Sequence, residues 1–322
     1  MRRLFAGVFT VLALMGAAGA AHSEDARYFK IATAGTAGSY FPVGTIIATA
    51  SSTPTLVVNA VASNGSFANV EALAAGSVDS AFVQADVAHW AVTGTGAFEA
   101  KGKRESLRAI AALYPEAVHL VVRKASGIAS FADLAGHHVA IDEPGSGTLV
   151  DVRLILAAHG LSERDFTAEY FKPDLAAQMV AAGQLDGFFY VGGAPDGAIA
   201  ALAAKVAGTP AEITLVPING SGAKGLMADN PFFTAAIIPA GAYPGVAETH
   251  TVAVRALWLT TAATPDDVVE TITAALFSEA TLKALAAHPQ GAQITLEHAQ
   301  DGLTVPLHPG AKAFYAKAGI LK

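Results

Sequence analysis

The chain has 322 residues, about twice the length of a typical domain, and 52% of them are hydrophobic, which excludes a mainly disordered protein. The 20 basic and 27 acidic residues give a net charge of −7, which disfavours nucleic acid as a partner because a phosphate backbone needs a cationic surface. The absence of cysteine excludes disulfides, thiolate nucleophiles and cysteine-ligated metal centres.

The N-terminus has the pattern of a secretory signal peptide. Arg2 and Arg3 precede a short apolar stretch at 4–15, and small residues follow it. The motif Ala18-Gly19-Ala20 fits an A-x-A cleavage site. We therefore expect residues 1–20 to be a signal peptide, cleaved after Ala20 or nearby, that sends the protein to the periplasm. An uncleaved N-terminal anchor is the alternative.

Strand and helix patterns alternate through the rest of the chain and predict an α/β fold. In the first part we predict strands at 29–34, 56–62 and 80–83, with helices starting at Tyr40 and Phe67. Each of these strands ends in small or polar residues, which are Gly35 to Ser39, Ser63 to Ser66, and Gln84-Ala85-Asp86. A pair of strands follows at 107–113 and 117–122, interrupted by Tyr114-Pro115-Glu116.

The second part repeats the alternation. We predict strands at 138–141, 185–191, 213–218 and 252–261, and helices at 149–159 and 265–276. The loop from Asp142 to Thr148 joins the first of these strands to its helix, and Gly192-Gly193-Ala194-Pro195 follows the second strand. Loops rich in glycine and hydroxyl residues thus recur after the strands of both parts.

These loops predict a ligand site. In an open α/β sheet, ligands lie beyond the carboxyl ends of the strands, where N–H groups at helix N-termini point at them. Glycine allows close approach of the backbone, and hydroxyls and amides can donate hydrogen bonds. This combination predicts a small anionic ligand. The alternative role for Ser146 and Thr148 is to cap the helix that follows.

Motifs for catalysis or cofactors are missing. The segment Gly145-Ser146-Gly147-Thr148 lacks the lysine of a phosphate-binding P-loop and the spacing of a dinucleotide fingerprint, and it is not a nucleophile elbow. The histidines have no metal-ligand spacing. We therefore predict a binding protein and not an enzyme, with no catalytic residue, metal or cofactor.

Six segments carry a resemblance to a known family. They are ATAGTAGSYFPVG, SNGSFANVEALAAGSVDSAFVQADVAHWA, DEPGSGTLVD, LDGFFYVGGAP, ALFSE and PLHPGAKAFY. In this order and spacing they resemble the TAXI family of solute receptors for TRAP transporters, over nearly the whole chain after the signal peptide. The sequence departs from the family at Ala34, Ala37 and Ser39, where glycine is common, and in a short segment at 51–55.

The resemblance implies a periplasmic binding protein of type II with two lobes. Lobe one would comprise residues 21–115 and 218–322, and lobe two residues 116–217, with two hinge crossovers between them. The protein, expected to be a monomer, would close over a C4 or C5 carboxylate such as glutamate or 2-oxoglutarate and deliver it to a TRAP permease driven by an ion gradient. The implied contacts are Gly38, Ser39, Tyr40, Asn64, Ser66, Gln84, Ser146, Gly147, Thr148, Gly192 and Gly193.

Three alternatives use the same fold. The protein could be the binding component of an ATP-driven importer, or a ligand sensor for a histidine kinase. An exported enzyme is the third alternative, because this fold also supports catalysis.

Overall fold

The computed structural model describes residues 26–321, so the predicted signal peptide at 1–20 lies outside the described residues. The strands are β1 (Arg27–Ala32), β2 (Leu56–Val61), β3 (Ser80–Gln84), β4 (Leu107–Arg123), β5 (His138–Ala140), β6 (Thr167–Glu169), β7 (Gly187–Gly192), β8 (Ile213–Leu215), β9 (Thr234–Ile238) and β10 (Thr249–Thr261). The helices are α1 (Tyr40–Ser51), α2 (Ser66–Ala74), α3 (Ala85–Thr93), α4 (Gly147–Ala158), α5 (Pro173–Ala181), α6 (Gly197–Val206), α7 (Gly220–Asp229), α8 (Asp266–Leu276), α9 (Glu279–Leu285) and α10 (Pro309–Lys317). No helix among these residues is both long and apolar enough to span a bilayer.

The strands form one continuous mixed sheet in the order β2-β1-β3-β10-β4-β7-β5-β6, with β8 paired to β4 and β9 to β10. The strands β1, β2 and β3 are parallel, as are β5, β6 and β7. The long antiparallel strands β4 and β10 run through both groups. These two strands therefore connect two lobes, each with its own parallel strands.

Each lobe packs helices on both faces of its part of the sheet. In the first lobe, α1, α8, α9 and α10 cover one face and α2 and α3 the other. In the second lobe, α4 and α7 cover one face and α5 and α6 the other. Trp258 of β10 and Phe189 of β7 lie at the centres of the two lobes and are almost fully buried. The predicted two-lobed α/β fold is confirmed.

The predicted break at Tyr114-Pro115-Glu116 is wrong, because β4 is one strand of 17 residues. Proline has no N–H to donate, and a strand tolerates it where the pairing is irregular. Pro115 lies opposite Arg255, next to a shift in register between β4 and β10. The missing donor therefore falls where the ladder is already disrupted.

The packing also differs from the predicted lobe boundary at residue 217. Ile218, Leu226 and Phe233 belong to the same hydrophobic cluster as Val152 of α4, and Val254 of β10 joins them. Residues after 217 thus complete the core of the second lobe before the chain returns to the first. We therefore propose residues 116–254 as the second lobe.

Candidate functional site

A cavity of ≈ 380 Å³ lies between the two lobes. The loops that follow β1, β2 and β3 line it from the first lobe, and those that follow β5 and β7 line it from the second. The site therefore forms where the carboxyl ends of two sets of parallel strands face each other, as the sequence predicts for ligand binding in an open sheet.

Buried hydrogen bonds fix the loops of the first lobe. The Asn69 amide donates to the backbone oxygens of Thr33 and Phe82, at 2.7 Å each, and so joins the ends of β1 and β3. The Ser63 hydroxyl donates to the same Thr33 oxygen at 2.9 Å. These three buried hydrogen bonds limit the freedom of the loops to rearrange.

The predicted residues of the first lobe all line the cavity: Gly38, Ser39, Tyr40, Asn64, Ser66 and Gln84. Tyr40 has the most specific role, since its hydroxyl donates to Glu116 Oε2 at 2.7 Å. The Ser66 hydroxyl accepts the backbone N–H of Gln84 at 3.1 Å. This contact fixes the end of β3 against the start of α2.

Ser146, Gly147 and Thr148 of the second lobe also line the cavity. The Ser146 hydroxyl accepts the backbone N–H of Leu149 at 3.0 Å and caps α4. The Thr148 hydroxyl accepts the N–H of Val191 at 3.2 Å and joins α4 to β7. Both hydroxyls thus have structural partners, and Ser146 takes the capping role that was the alternative to ligand contact.

The predicted contacts Gly192 and Gly193 are not among the described residues that line the cavity. A Cβ on Gly192 would lie 2.4 Å from the Tyr190 hydroxyl, and one on Gly193 would lie 2.0 Å from Gln290 Cγ. Crowding by these side chains is a structural reason for glycine at both positions.

Carboxylates that the sequence analysis did not select line much of the cavity. They are Glu116, Asp142, Glu143, Asp174 and Asp196. Among the described residues, Lys172 is the only cationic side chain in the lining, and its Nζ lies 3.0 Å from Glu143 Oε1. The formal charge of the lining is therefore negative, opposite to that expected around an anionic solute.

Burial raises the pKa values of Glu116, Asp142 and Asp196. It raises the pKa of Glu116 to about 8, although the hydrogen bond from Tyr40 acts in the opposite direction. Burial likewise raises the pKa of Asp142 to about 6 and shifts that of Asp196 upward. The cavity thus disfavours unneutralised negative charge in the absence of a ligand.

Hydrogen bonds also join the two lobes directly. Gln84 of β3 donates to Asp151 Oδ2 of α4 at 3.0 Å, and the N–H of Ala68 donates to the Gly145 oxygen at 2.9 Å. The Gln290 amide donates to the Pro195 oxygen at 2.8 Å. These contacts hold the walls of the cavity together in this structure.

The family model described as NMT1-like matches residues 31–319, which is most of the chain. The chain belongs to the NMT1-like family.

Solved structures show the same fold at low identity. The NMT1-like chain is similar to a substrate-binding protein of an ABC uptake transporter from Streptococcus pneumoniae with bound histidine, at 15% identity and a TM-score of 0.51 over 84% of this chain and 94% of that one. It is also similar to a putative L-cystine ABC transporter protein from Listeria monocytogenes, at 14% identity and a TM-score of 0.50 over 84% and 99% of the two chains. A Xanthomonas citri protein bound to ATP matches at 14% identity and a TM-score of 0.51 over 91% and 96%.

The Streptococcus pneumoniae neighbour is a substrate-binding protein, and at this level of identity the likeness shows the fold that the two chains share. In the NMT1-like chain, the most informative residue that the sequence analysis missed is Glu116. It is the one charged residue between Arg108 and Arg123 apart from His119, in an otherwise apolar strand. A lone carboxylate in such a run is a signal for a functional group, because an unpaired buried charge is costly.

Proposed function

We propose that this NMT1-like protein is the solute-binding component of a membrane importer and captures a small solute between its lobes. The observation that carries the proposal is the cavity of ≈ 380 Å³ between the lobes, lined by polar groups from both sets of strand ends. Cavities of about 300–1,000 Å³ are typical of sites for small molecules.

We infer a hinge motion at β4 and β10. These strands are the two long connections between the lobes, and a buried hydrogen bond from Gln84 to Asp151 also crosses the cleft. Opening would break such hydrogen bonds and would also separate Phe232 from Trp90, which pack edge to face at 5.3 Å. A solute would bind to one lobe, and closure would complete its contacts and exclude water.

An ATP-driven importer is the partner that we favour. Two of the structural neighbours with a TM-score of at least 0.50, from Streptococcus pneumoniae and Listeria monocytogenes, are proteins of ABC transporters. A TRAP permease driven by an ion gradient is the second candidate, favoured by segments such as ATAGTAGSYFPVG that resemble TAXI receptors. Both partners place the protein in the periplasm, in agreement with the predicted signal peptide.

Ligand retention tests the binding function. The purified protein, unfolded, dialysed and refolded, is equilibrated with a mixture of amino acids, amines, carboxylates and sulfonates, and retained molecules are identified by mass spectrometry. The variant Asn64→Trp places a large side chain at the cavity, whereas Asn59→Trp places it on the exposed side of β2. We expect wild type and Asn59→Trp to retain the same molecule and Asn64→Trp to lose it. Equal retention by Asn64→Trp would show that this cavity is not the site.

Reconstitution tests the partner. Proteoliposomes that contain the candidate permease are supplied with the loaded binding protein and either internal ATP or an ion gradient. Uptake that needs ATP supports the ABC importer, and uptake that needs only the gradient supports the TRAP permease.

A further inference from the structure

We propose that the solute is an organic cation, with a protonated amine or guanidine group held by the carboxylates of the second lobe and of the strand β4. This inference rests on the proposed function and adds the class of substrate.

The first observation is the uneven distribution of charge in the cavity. Glu116 lies on β4, and the other four lining carboxylates, Asp142, Glu143, Asp174 and Asp196, lie in the second lobe. The first lobe contributes backbone groups and uncharged side chains such as Ser39, Asn64 and Ser66. One wall therefore attracts a cation, while the other can bind neutral polar groups or the carboxyl group of a zwitterion.

The second observation is the state of Glu116. Its side chain is 3% exposed, and Oε2 accepts the Tyr40 hydroxyl. Within residues 26–321, no hydrogen bond reaches Oε1, although Glu116 lines the cavity. A protonated amine or guanidine at Oε1 would supply a donor together with the opposite charge that allows Glu116 to ionise.

The third observation concerns the one cationic group of the lining. Lys172 is paired with Glu143, so it neutralises one of the five carboxylates and leaves the others without a cationic partner in the lining. An anionic solute would have to enter beside these groups with no free ammonium to offset them. Like-charge contacts of this kind act against binding.

The arrangement of the acids favours an organic cation over a metal ion. No group of three or more histidine and carboxylate side chains in the described chain converges closely enough to hold a metal. The lining acids come instead from β4, from the loop after β5, and from the starts of α5 and α6. Charge spread along a cavity wall suits a molecule with spaced donors better than a single ion.

Matched pairs of probes test the sign of the charge. L-arginine is compared with L-citrulline, which replaces the guanidinium by a neutral group of similar shape, and 1,4-diaminobutane is compared with 1,4-butanediol. Glutarate serves as the anion. Titration calorimetry on the ligand-free protein should show at least one cation binding about tenfold or more tightly than its neutral partner, and glutarate binding most weakly.

Variants of the cavity identify the groups responsible. We expect Glu116→Gln to weaken binding of the cation about tenfold or more, and Glu297→Gln, which removes an exposed carboxylate outside the cavity, to leave it unchanged. If Glu116→Gln fails to fold, Asp174→Asn tests the same idea at an exposed position on the rim. Lys172→Met should preserve or strengthen binding of a cation, whereas a site for anions would lose affinity.

The inference is overturned if citrulline, butanediol or glutarate binds as tightly as the cations, or if none of the five probes binds. It is also overturned if Lys172→Met weakens binding while Glu116→Gln or Asp174→Asn does not. The proposed function is judged separately by the retention experiment, because a retained neutral or anionic molecule would preserve that function and reject the cation.

Discussion

Gly147 provides a direct test of how the lobes close. It is the first residue of α4 and has no positive φ, so alanine suits its backbone conformation. An added Cβ would nevertheless lie 1.5 Å from Gln84 Oε1 and 2.5 Å from its Cδ. Because Gln84 belongs to the first lobe and Gly147 to the second, the variant Gly147→Ala should hinder docking of the lobes and leave each core intact.

The magnitude follows from two effects in the closed form. Displacement of the Gln84 amide would break its hydrogen bond to Asp151, worth about 1 kcal/mol if both groups are neutral. Accommodating the extra methyl group in a packed contact costs about 1–3 kcal/mol. A total of about 2–4 kcal/mol against closure corresponds to at least about 30-fold weaker binding of the solute.

Calorimetry with the solute identified in the retention experiment measures this effect. Gly225→Ala is a matched control, because Gly225 lies within α7 and a Cβ there meets nothing within 4 Å. The control should bind normally and gain up to about 1 kcal/mol of stability from reduced backbone freedom. Wild-type affinity in Gly147→Ala would refute the claim that this contact controls closure.

Two further predictions concern stability. Asn69→Ala removes the hydrogen bonds to Thr33 and Phe82 and should lower the free energy of unfolding, measured in urea, by about 2–3 kcal/mol. The control Asn230→Ala loses one hydrogen bond at a partly exposed helix end and should lower it by about 1 kcal/mol or less. The second prediction concerns Glu116, whose pKa burial raises to about 8. Between pH 6.5 and 8 this side chain holds more protons in the folded protein than in the unfolded chain. The free energy of unfolding without ligand should therefore fall as pH rises, by up to about 1 kcal/mol per pH unit. Below pH 6.5, His119, whose pKa burial lowers to about 4, opposes this trend. Glu116→Gln should reduce the slope between pH 6.5 and 8, to which the buried Asp151, whose pKa burial also raises, contributes in the same direction. A wild-type stability that rises with pH there would contradict the assignment.

Much of the fold follows from local sequence patterns. The helix α1 begins at Tyr40 as predicted, since a strand, a glycine-rich turn and Pro42 mark its start. The lobe boundary could not be predicted in the same way. Ile218 and Phe233 are apolar residues whose partners lie in α4 and β4, and periodicity indicates that a residue is buried without indicating which core buries it.

The candidate site likewise has a part that local sequence patterns predict and a part that only the fold reveals. The polar loops of the first lobe could be predicted because each directly follows a strand, so the pattern and the site coincide in sequence. The cavity carboxylates at 116, 142, 174 and 196 come from four separate elements, and only the topology of the sheet brings them together. Gly192 and Gly193 show that a glycine-rich loop after a strand has a second explanation, because glycine also appears where side chains such as Tyr190 and Gln290 need room.

The charge expected for the ligand depends on whether the helix ends or the cavity carboxylates are considered. A helix N-terminus favours an anion by about 0.3–1 kcal/mol, and several such ends led the sequence analysis to an anionic solute. A carboxylate about 4 Å from a ligand charge contributes about 4 kcal/mol at an effective dielectric constant of 20. One ionised acid therefore outweighs several helix ends, and five acids with one paired ammonium line this cavity. A cation would also favour ionisation of Glu116 and Asp142, whose pKa values burial raises. On these magnitudes the charged side chains outweigh the helix ends, which is the basis of the proposed preference for a cation.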